Sequence, residues 1–416
     1  MQREKILIVG VKTIDHTDHH FQSTLEELKS LSHTAGGEVV KVVTQNRRHI
    51  HPATYVGEGK LNEMKRWIEA LDVDLVICNH ELSPGQLRNL NEHFGVRVID
   101  RSQLILDIFA RRAITKEGKL QVELAQLEYL LPRLHGMGSV LSRLGGGIGT
   151  RGPGETKLET DQRHIRRRID EIKRRLQDVV KQREQYRKRR RKRFVYQIAL
   201  IGYTNAGKST IFNRLAEEST LEEDLLFATL DPLTRKIHLP SGFECLLTDT
   251  VGFLQDLPTS LIAAFKSTLE EVTEADFLLH VVDASHPDHE QHIKTVHAIL
   301  EELGAHTIPM LTVYNKKDRI EGPFIPLEHP SIVISAYEQE DLNALLIKIE
   351  EQLKGLWQHY HVMLRPDQGR ALHQLSTHSI VINKYFDELK NMYVVEGYMP
   401  KTFALETIIK GDFQHD

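Results

Sequence analysis

Short aliphatic runs alternate with helical patterns along the first quarter of the chain: KILIVGV, then FQSTLEELKSL, EVVKVVT, KLNEMKRWIEAL, DLVICN, SPGQLRNLNEHF and VRVID. Such alternation builds a mainly parallel sheet with helical crossovers. Ser83, Pro84 and Gln86 have the order of an N-cap, a first-turn proline and a capping-box partner, so a helix is predicted to start there. Ser102 to about His135 and Leu158 to Arg193 read as two long helices forming an antiparallel hairpin. Arms of roughly 30 residues at 1.5 Å per residue would hold the hairpin tip about 45 Å from its base. Residues 136–157 between them contain eight glycines with Arg143, Arg151 and Lys157 interspersed, too little apolar surface for a core. Strands and helices alternate again from Phe194 to about residue 357, and a small α/β appendage follows. The expected divisions are 1–112, 113–193, 194–357 and 358–416.

A length of 416 residues suits two to four domains, each able to bury a core. No apolar run approaches the length of a membrane span, and MQREKILIVG lacks the long apolar stretch of a signal peptide. A cytoplasmic protein without stable membrane insertion is expected. Cys78 and Cys245 make no CxxC spacing and read as small core hydrophobes. The net charge of −4 conceals an asymmetry: residues 163–193 carry sixteen Lys and Arg against four Asp and Glu, a surplus of twelve positive charges. One localised polyanion contact is implied.

Strand-like VYQIALI runs into Gly202-Tyr203-Thr204-Asn205-Ala206-Gly207-Lys208-Ser209, with Thr210 opening a helical STIFNRLA. That is the strand, glycine-rich loop and helix of a phosphate-binding loop. Its glycines let backbone N–H groups converge on phosphates, Lys208 reaches the terminal phosphates, and Ser209 offers a hydroxyl to Mg²⁺. FECLLTD then ends in Asp249-Thr250-Val251-Gly252, where the carboxylate can hold Mg²⁺ through water and Gly252 can place its N–H on a γ-phosphate. PMLTVYN delivers Asn315-Lys316-Lys317-Asp318, and VIS delivers Ser335-Ala336-Tyr337. A carboxylate at Asp318 accepts both the N1–H and the 2-amino hydrogens of guanine, whereas adenine presents an acceptor at N1, so GTP is the expected nucleotide. Lys316 is expected to pack over the base-binding loop and the Ala336 N–H to meet guanine O6.

Leu226-Phe-Ala-Thr229-Leu-Asp-Pro-Leu-Thr234 is the expected first switch. Thr229 is assigned to close on Mg²⁺ when a γ-phosphate is present, with Thr234 as fallback. The catalytic set is therefore Lys208, Thr229 and Gly252, and the metal set Ser209, Thr229 and Asp249. Phe253 stands where many related GTPases carry a water-orienting glutamine. Either a partner completes the site, or another side chain of the chain does.

Arg187 to Arg193 are consecutive basic residues, preceded on the same expected helix by Arg163, Arg166, Arg167, Arg168, Lys173, Arg174 and Arg175. With only Tyr129 and Tyr186 as aromatics over 113–193, phosphate contact with folded RNA is favoured over base stacking, and no motif for reading DNA is present. His286, His289 and His292 follow helical spacing in a charged stretch without a matching carboxylate or cysteine set.

The fold class expected is α/β: a GTPase domain with a mixed, mostly parallel sheet and helices on both faces, preceded by an α/β subdomain with a long helical hairpin. Across nearly the whole chain the residues resemble the HflX family of ribosome-associated GTPases. The resemblance rests on His51-Pro-Ala-Thr-Tyr-Val-Gly57-Glu-Gly59-Lys60, Asn79-His-Glu-Leu-Ser-Pro84-Gly85, Gly149-Thr-Arg151-Gly-Pro-Gly154-Glu155-Thr156 and Phe253 after DTVG. It implies binding of residues 136–193 to the large ribosomal subunit and its RNA, hydrolysis stimulated there, and splitting or rescue of stalled or stress-damaged ribosomes. Some members are credited with ATP binding in the N-terminal region, but no Walker motif stands there in this sequence. A monomer is expected, and a GTP-dependent switch acting on a protein partner is the alternative.

Overall fold

The computed structural model describes residues 3–14, 17–134, 157–192, 195–216, 232–254 and 271–401. They fall into two compact units, one built chiefly on Met1–Arg183 and the other chiefly on the residues after it. Among the described residues, no helix is long and apolar enough to cross a membrane.

The first unit holds a parallel sheet of β1 (Lys5–Lys12), β2 (Glu38–Asn46), β3 (Leu75–Cys78) and β4 (Arg97–Asp100) in the order β2-β1-β3-β4. Strand β1 is buried over its six central residues because both faces are covered, which is why it reads as a continuous apolar run. Leu7, Val9 and Val11 on one face meet Leu61, Met64 and Ile68 of α2 (Glu58–Leu71) and Leu87 and Leu90 of α3 (Pro84–Phe94). On the other face Phe21 and Leu25 of α1 (Asp18–Thr34) press on Gly10, where a Cβ would come within 2.8 Å of Leu25. The capping box at α3 forms as expected: Gln86 N donates to Ser83 Oγ at 3.2 Å and Ser83 N to Gln86 Oε1 at 2.9 Å.

The single helix expected over 102–135 is instead two, α4 (Arg101–Arg112) and α5 (Lys116–Leu130), followed by a 3-10 turn, Leu131–Leu134. Ala113 is extended, and Thr115 restarts the helix by accepting from Gly118 N at 2.9 Å. A threonine that can cap competes with helix continuation, and no proline or glycine advertises the break. Helix α5, of 15 residues, spans about 22 Å rather than 45 Å. Helix α6 (Lys157–Lys192) is the long element, joined to α5 by Glu123–Arg168 at 2.7 Å and Glu128–Lys173 at 2.8 Å. It buries Gln162, Ile169 and Ile172 and exposes Arg163, Arg166, Arg167, Arg174 and Arg175. Most of the glycine-rich segment, 135–156, lies outside the described residues.

In the second unit six strands run in the order β10-β9-β8-β5-β7-β6: β5 (Gln197–Gly202), β6 (Leu233–His238), β7 (Glu244–Asp249), β8 (Phe277–Asp283), β9 (Met310–Asn315) and β10 (Ser331–Val333). Only β6 is antiparallel to its neighbour. Helices α7 (Lys208–Leu215), α8 (His289–Glu302) and α9 (Gln339–Leu356) belong to this layer. A three-stranded antiparallel sheet, β11 (Gln358–Leu364), β13 (Met392–Met399) and β12 (Ile380–Asp387), follows with α10 (Gly369–His378). Its Ile380, together with Trp357, enters the same core as Phe243, Leu247 and Leu353. Cys78 and Cys245 are both buried free thiols, as expected of core hydrophobes.

Candidate nucleotide-binding site

The parallel arrangement brings the C-terminal ends of β5, β7, β8 and β9 to one edge of the sheet. Strand β5 ends in Gly202 at φ 146, where a Cβ would lie 2.1 Å from Val281 O. The loop then turns through Asn205 at φ 60 and Gly207 at φ 95, both in the left-handed region. A Cβ on Gly207 would lie 2.1 Å from Asn315 Nδ2, so only glycine lets the two loops approach. Helix α7 begins directly after Gly207 with no side-chain cap, which points its first N–H groups at the loop cavity. Lys208 folds back over the loop, its Nζ donating to Gly202 O at 3.0 Å and Tyr203 O at 2.8 Å. Burial pulls its pKa down to about 8 despite the opposing field of Asp249.

Beside it, Ser209 Oγ donates to Asp249 Oδ2 at 2.8 Å, which places two oxygen donors of the kind Mg²⁺ prefers side by side. Asp249 is fully buried, and Thr250 is turned inward with its hydroxyl on Leu200 O. Val251 is buried, and Gly252 touches the phosphate loop so closely that a Cβ would sit 2.6 Å from Thr204 Cγ2 and 3.2 Å from Lys208 Nζ. Phe253 is stitched to the loop by its backbone: its N donates to Gly202 O at 3.1 Å and its O accepts from Thr204 N at 2.9 Å. Its ring is buried and has no group that could orient water.

Asn315 does not face outward. Its Nδ2 donates to Ala206 O at 2.9 Å and its Oδ1 accepts from Ala336 N at 3.0 Å, so one side chain ties the phosphate loop to the Ser335-Ala336-Tyr337 loop. The Ala336 N–H expected to meet guanine O6 is thus taken by Asn315. Lys316, in a left-handed conformation at φ 65, pairs through Nζ with Asp283 at 2.7 Å. The carboxylate of Asp318 accepts from Ser335 Oγ at 2.7 Å and remains partly exposed. Tyr337 is exposed, and its backbone O accepts from Arg214 Nη2 at 3.3 Å.

Two carboxylates that sequence reasoning missed complete this frame. Asp283 ends β8 in register with Asn315, and Asp341 in the first turn of α9 accepts from Ser335 N at 2.7 Å and from Lys317 Nζ at 3.1 Å. A strand-end position was the only local signal for the first; nothing local marked the second. Thr229 lies outside the described residues. The fallback, Thr234, is corrected: it sits in β6 with its hydroxyl 3.0 Å from Thr248 Oγ1, engaged in the β6–β7 pairing. His286 precedes α8 rather than sharing its face, and His292 stacks on Tyr203 of the phosphate loop with ring centroids 3.7 Å apart and planes 7° off parallel. Burial and the neighbouring His286 lower His292 to about 3, so it is a neutral packing surface.

Known proteins resemble this chain over most of its length. Family models described as GTP-binding GTPase N-terminal, GTP-binding GTPase Middle Region and 50S ribosome-binding GTPase match residues 22–110, 112–190 and 197–316. The GTPase HflX of Alkalihalophilus pseudofirmus is 54% identical over 408 residues, 98% of this chain and 96% of that protein. The GTPase HflX of Escherichia coli is 47% identical over 352 residues, 83% of each chain. A crystal structure of SsGBP with GDP is 24% identical with a TM-score of 0.49, covering 84% of this chain and 98% of that one. With a glycine-rich loop running from strand to helix and relatives this similar over nearly its whole length, the chain belongs to the HflX family of GTPases.

Proposed function

We propose that this GTPase acts on the ribosome: with Mg²⁺ at Ser209, Asp249 and Thr229, its GTP-bound form docks on the large ribosomal subunit and splits or rescues stalled or stress-damaged ribosomes. Lys208 and Gly252 would stabilise the terminal phosphates, Gly202 to Thr210 would cradle them, and Asp318 with the Ser335-Ala336-Tyr337 loop would read guanine. Mg²⁺ would neutralise charge developing on the phosphates. The segment 136–193 would contact ribosomal RNA, and the divisions 1–112, 113–193, 194–357 and 358–416 would serve as N-terminal, RNA-contacting, GTPase and accessory parts. A cytoplasmic monomer that neither binds DNA nor enters a membrane fits this role.

The observation that carries the proposal is the pairing of a nucleotide site lacking a water-orienting side chain at Phe253 with an exposed row of arginines on α6. A site short of one catalytic group is slow until a partner supplies it. The 50S ribosome-binding description of the matching family model supports the choice of partner. The test is GTP turnover by the full chain alone and with isolated large ribosomal subunits at two salt concentrations. The expected result is a large stimulation that weakens with salt, because each phosphate contact releases counterions. Measurable GTP binding without any stimulation would sink it and put a switch acting on a protein partner first.

A further inference from the structure

The second unit holds a cluster that the nucleotide site does not use. His280 stands in the middle of β8, fully buried, in register with Thr312 of β9 and three residues before Asp283. Among the described residues its Nδ1 has no hydrogen-bond partner, and it lies 3.7 Å from Glu328 Oε2. A buried polar atom left without a partner is uncommon and calls for an explanation. His297, on α8 and half exposed, reaches the other oxygen of the same carboxylate, with Nε2 at 2.5 Å from Oε1. The donor atoms of His280, His297 and Glu328 all lie within 4.8 Å of one another.

The carboxylate is held from behind. Thr312 Oγ1 donates to Glu328 Oε2 at 3.1 Å, and the Tyr314 hydroxyl accepts from both Leu327 N at 3.0 Å and Glu328 N at 3.1 Å. Such outer contacts fix a ligand's orientation before an ion arrives. Neutral imidazole nitrogens and a carboxylate oxygen are the forms in which these side chains bind metal. His297 faces solvent and leaves an entry path.

We propose that His280, His297 and Glu328 bind a zinc-class divalent cation. Two imidazole nitrogens and one carboxylate suit borderline ions, whereas Mg²⁺ and Ca²⁺ select all-oxygen sets. The three donors would draw in to about 2.0–2.2 Å from the ion and leave a fourth position for water, as tetrahedral zinc sites of this composition do. The ion would join β8, α8 and the segment before β10 beneath the strand ends that carry Asp283 and Asn315. Sequence alone could not suggest this site, since its members lie on three elements and are separated by 17 and 31 positions.

The experiment is a Co²⁺ titration of the nucleotide-free full-length chain, followed by visible absorption, with Zn²⁺ added afterwards. Expected is a one-to-one complex with the intense bands of four-coordinate cobalt, bleached by Zn²⁺. His297→Ala and Glu328→Gln should each weaken it by about tenfold or more, the least expected for removing a direct ligand. Both variants should keep wild-type GTP binding, which certifies their folding and separates this outcome from failure of the ribosomal proposal. A wild-type protein with no such complex, hence only a metal-free histidine–carboxylate pair, overturns the assignment. So does a complex that survives both substitutions, because the ion would then lie among other histidines.

Discussion

Both units contain a parallel sheet whose strands feed helices, yet the starts of those helices differ. In the first unit α1, α3, α4 and α5 begin behind Thr17, Ser83, Asp100 and Thr115, each of which accepts a backbone N–H from the first turn, whereas α2 begins behind Gly57 without a side-chain cap. In the second unit α7 begins behind Gly207, which has no side chain to give. A capped helix has satisfied its own first donors, and an anion would have to displace the cap. An uncapped one, fed by a tight glycine loop and a buried lysine, keeps donors and positive potential for a ligand. The missing cap alone does not set α7 apart, since α2 shares it; the left-handed turn through Asn205 and Gly207 and the buried Lys208 at its start do.

The most severe way to break that contrast is Lys208→Ala. Charge-assisted hydrogen bonds contribute about 1.5–3 kcal/mol each, so GTP affinity should fall by about a hundredfold in a fluorescent-nucleotide titration. Unchanged affinity would show that the helix start alone holds the phosphates.

A gentler perturbation is pH. In the nucleotide-free protein burial sets Lys208 near 8, and a bound polyphosphate favours its charged form and raises that value. Binding therefore takes up a proton wherever the free lysine is neutral. GTP affinity should be flat below about pH 8 and fall by up to about tenfold per unit above it, the slope of one linked proton. Calorimetry in buffers of different ionisation enthalpy should register the uptake.

The smallest effect belongs to the first unit. Ser83→Ala removes a cap and should lower stability to denaturant by about 1 kcal/mol, with GTP affinity unchanged. A loss of GTP affinity would mean that the two kinds of helix start are not independent.

Much of the site was legible in the sequence because its chemistry is local. The phosphate loop, Asp249 to Gly252 and Asn315 to Asp318 each lie within a few residues at the end of one apolar strand, and their order along the chain already implied a guanine site. The parallel sheet of the first unit was equally legible from the alternation of its runs. The break at Ala113 to Thr115 was not, because a threonine that caps looks in sequence like any threonine within a polar helix.

What the sequence by itself determined is therefore the motifs that stand at the strand ends and the periodicity of the elements that carry them. Only the tertiary structure decided how those groups are held. It turned Asn315 inward to join two loops, gave Lys316 to Asp283 and Ser335 to Asp341, stitched Phe253 to the phosphate loop and took Thr234 into β6. The physical reason is range. Propensity, capping and glycine chemistry act over a few residues, whereas a hydrogen bond between residues far apart in the chain exists only once packing has brought their strands together.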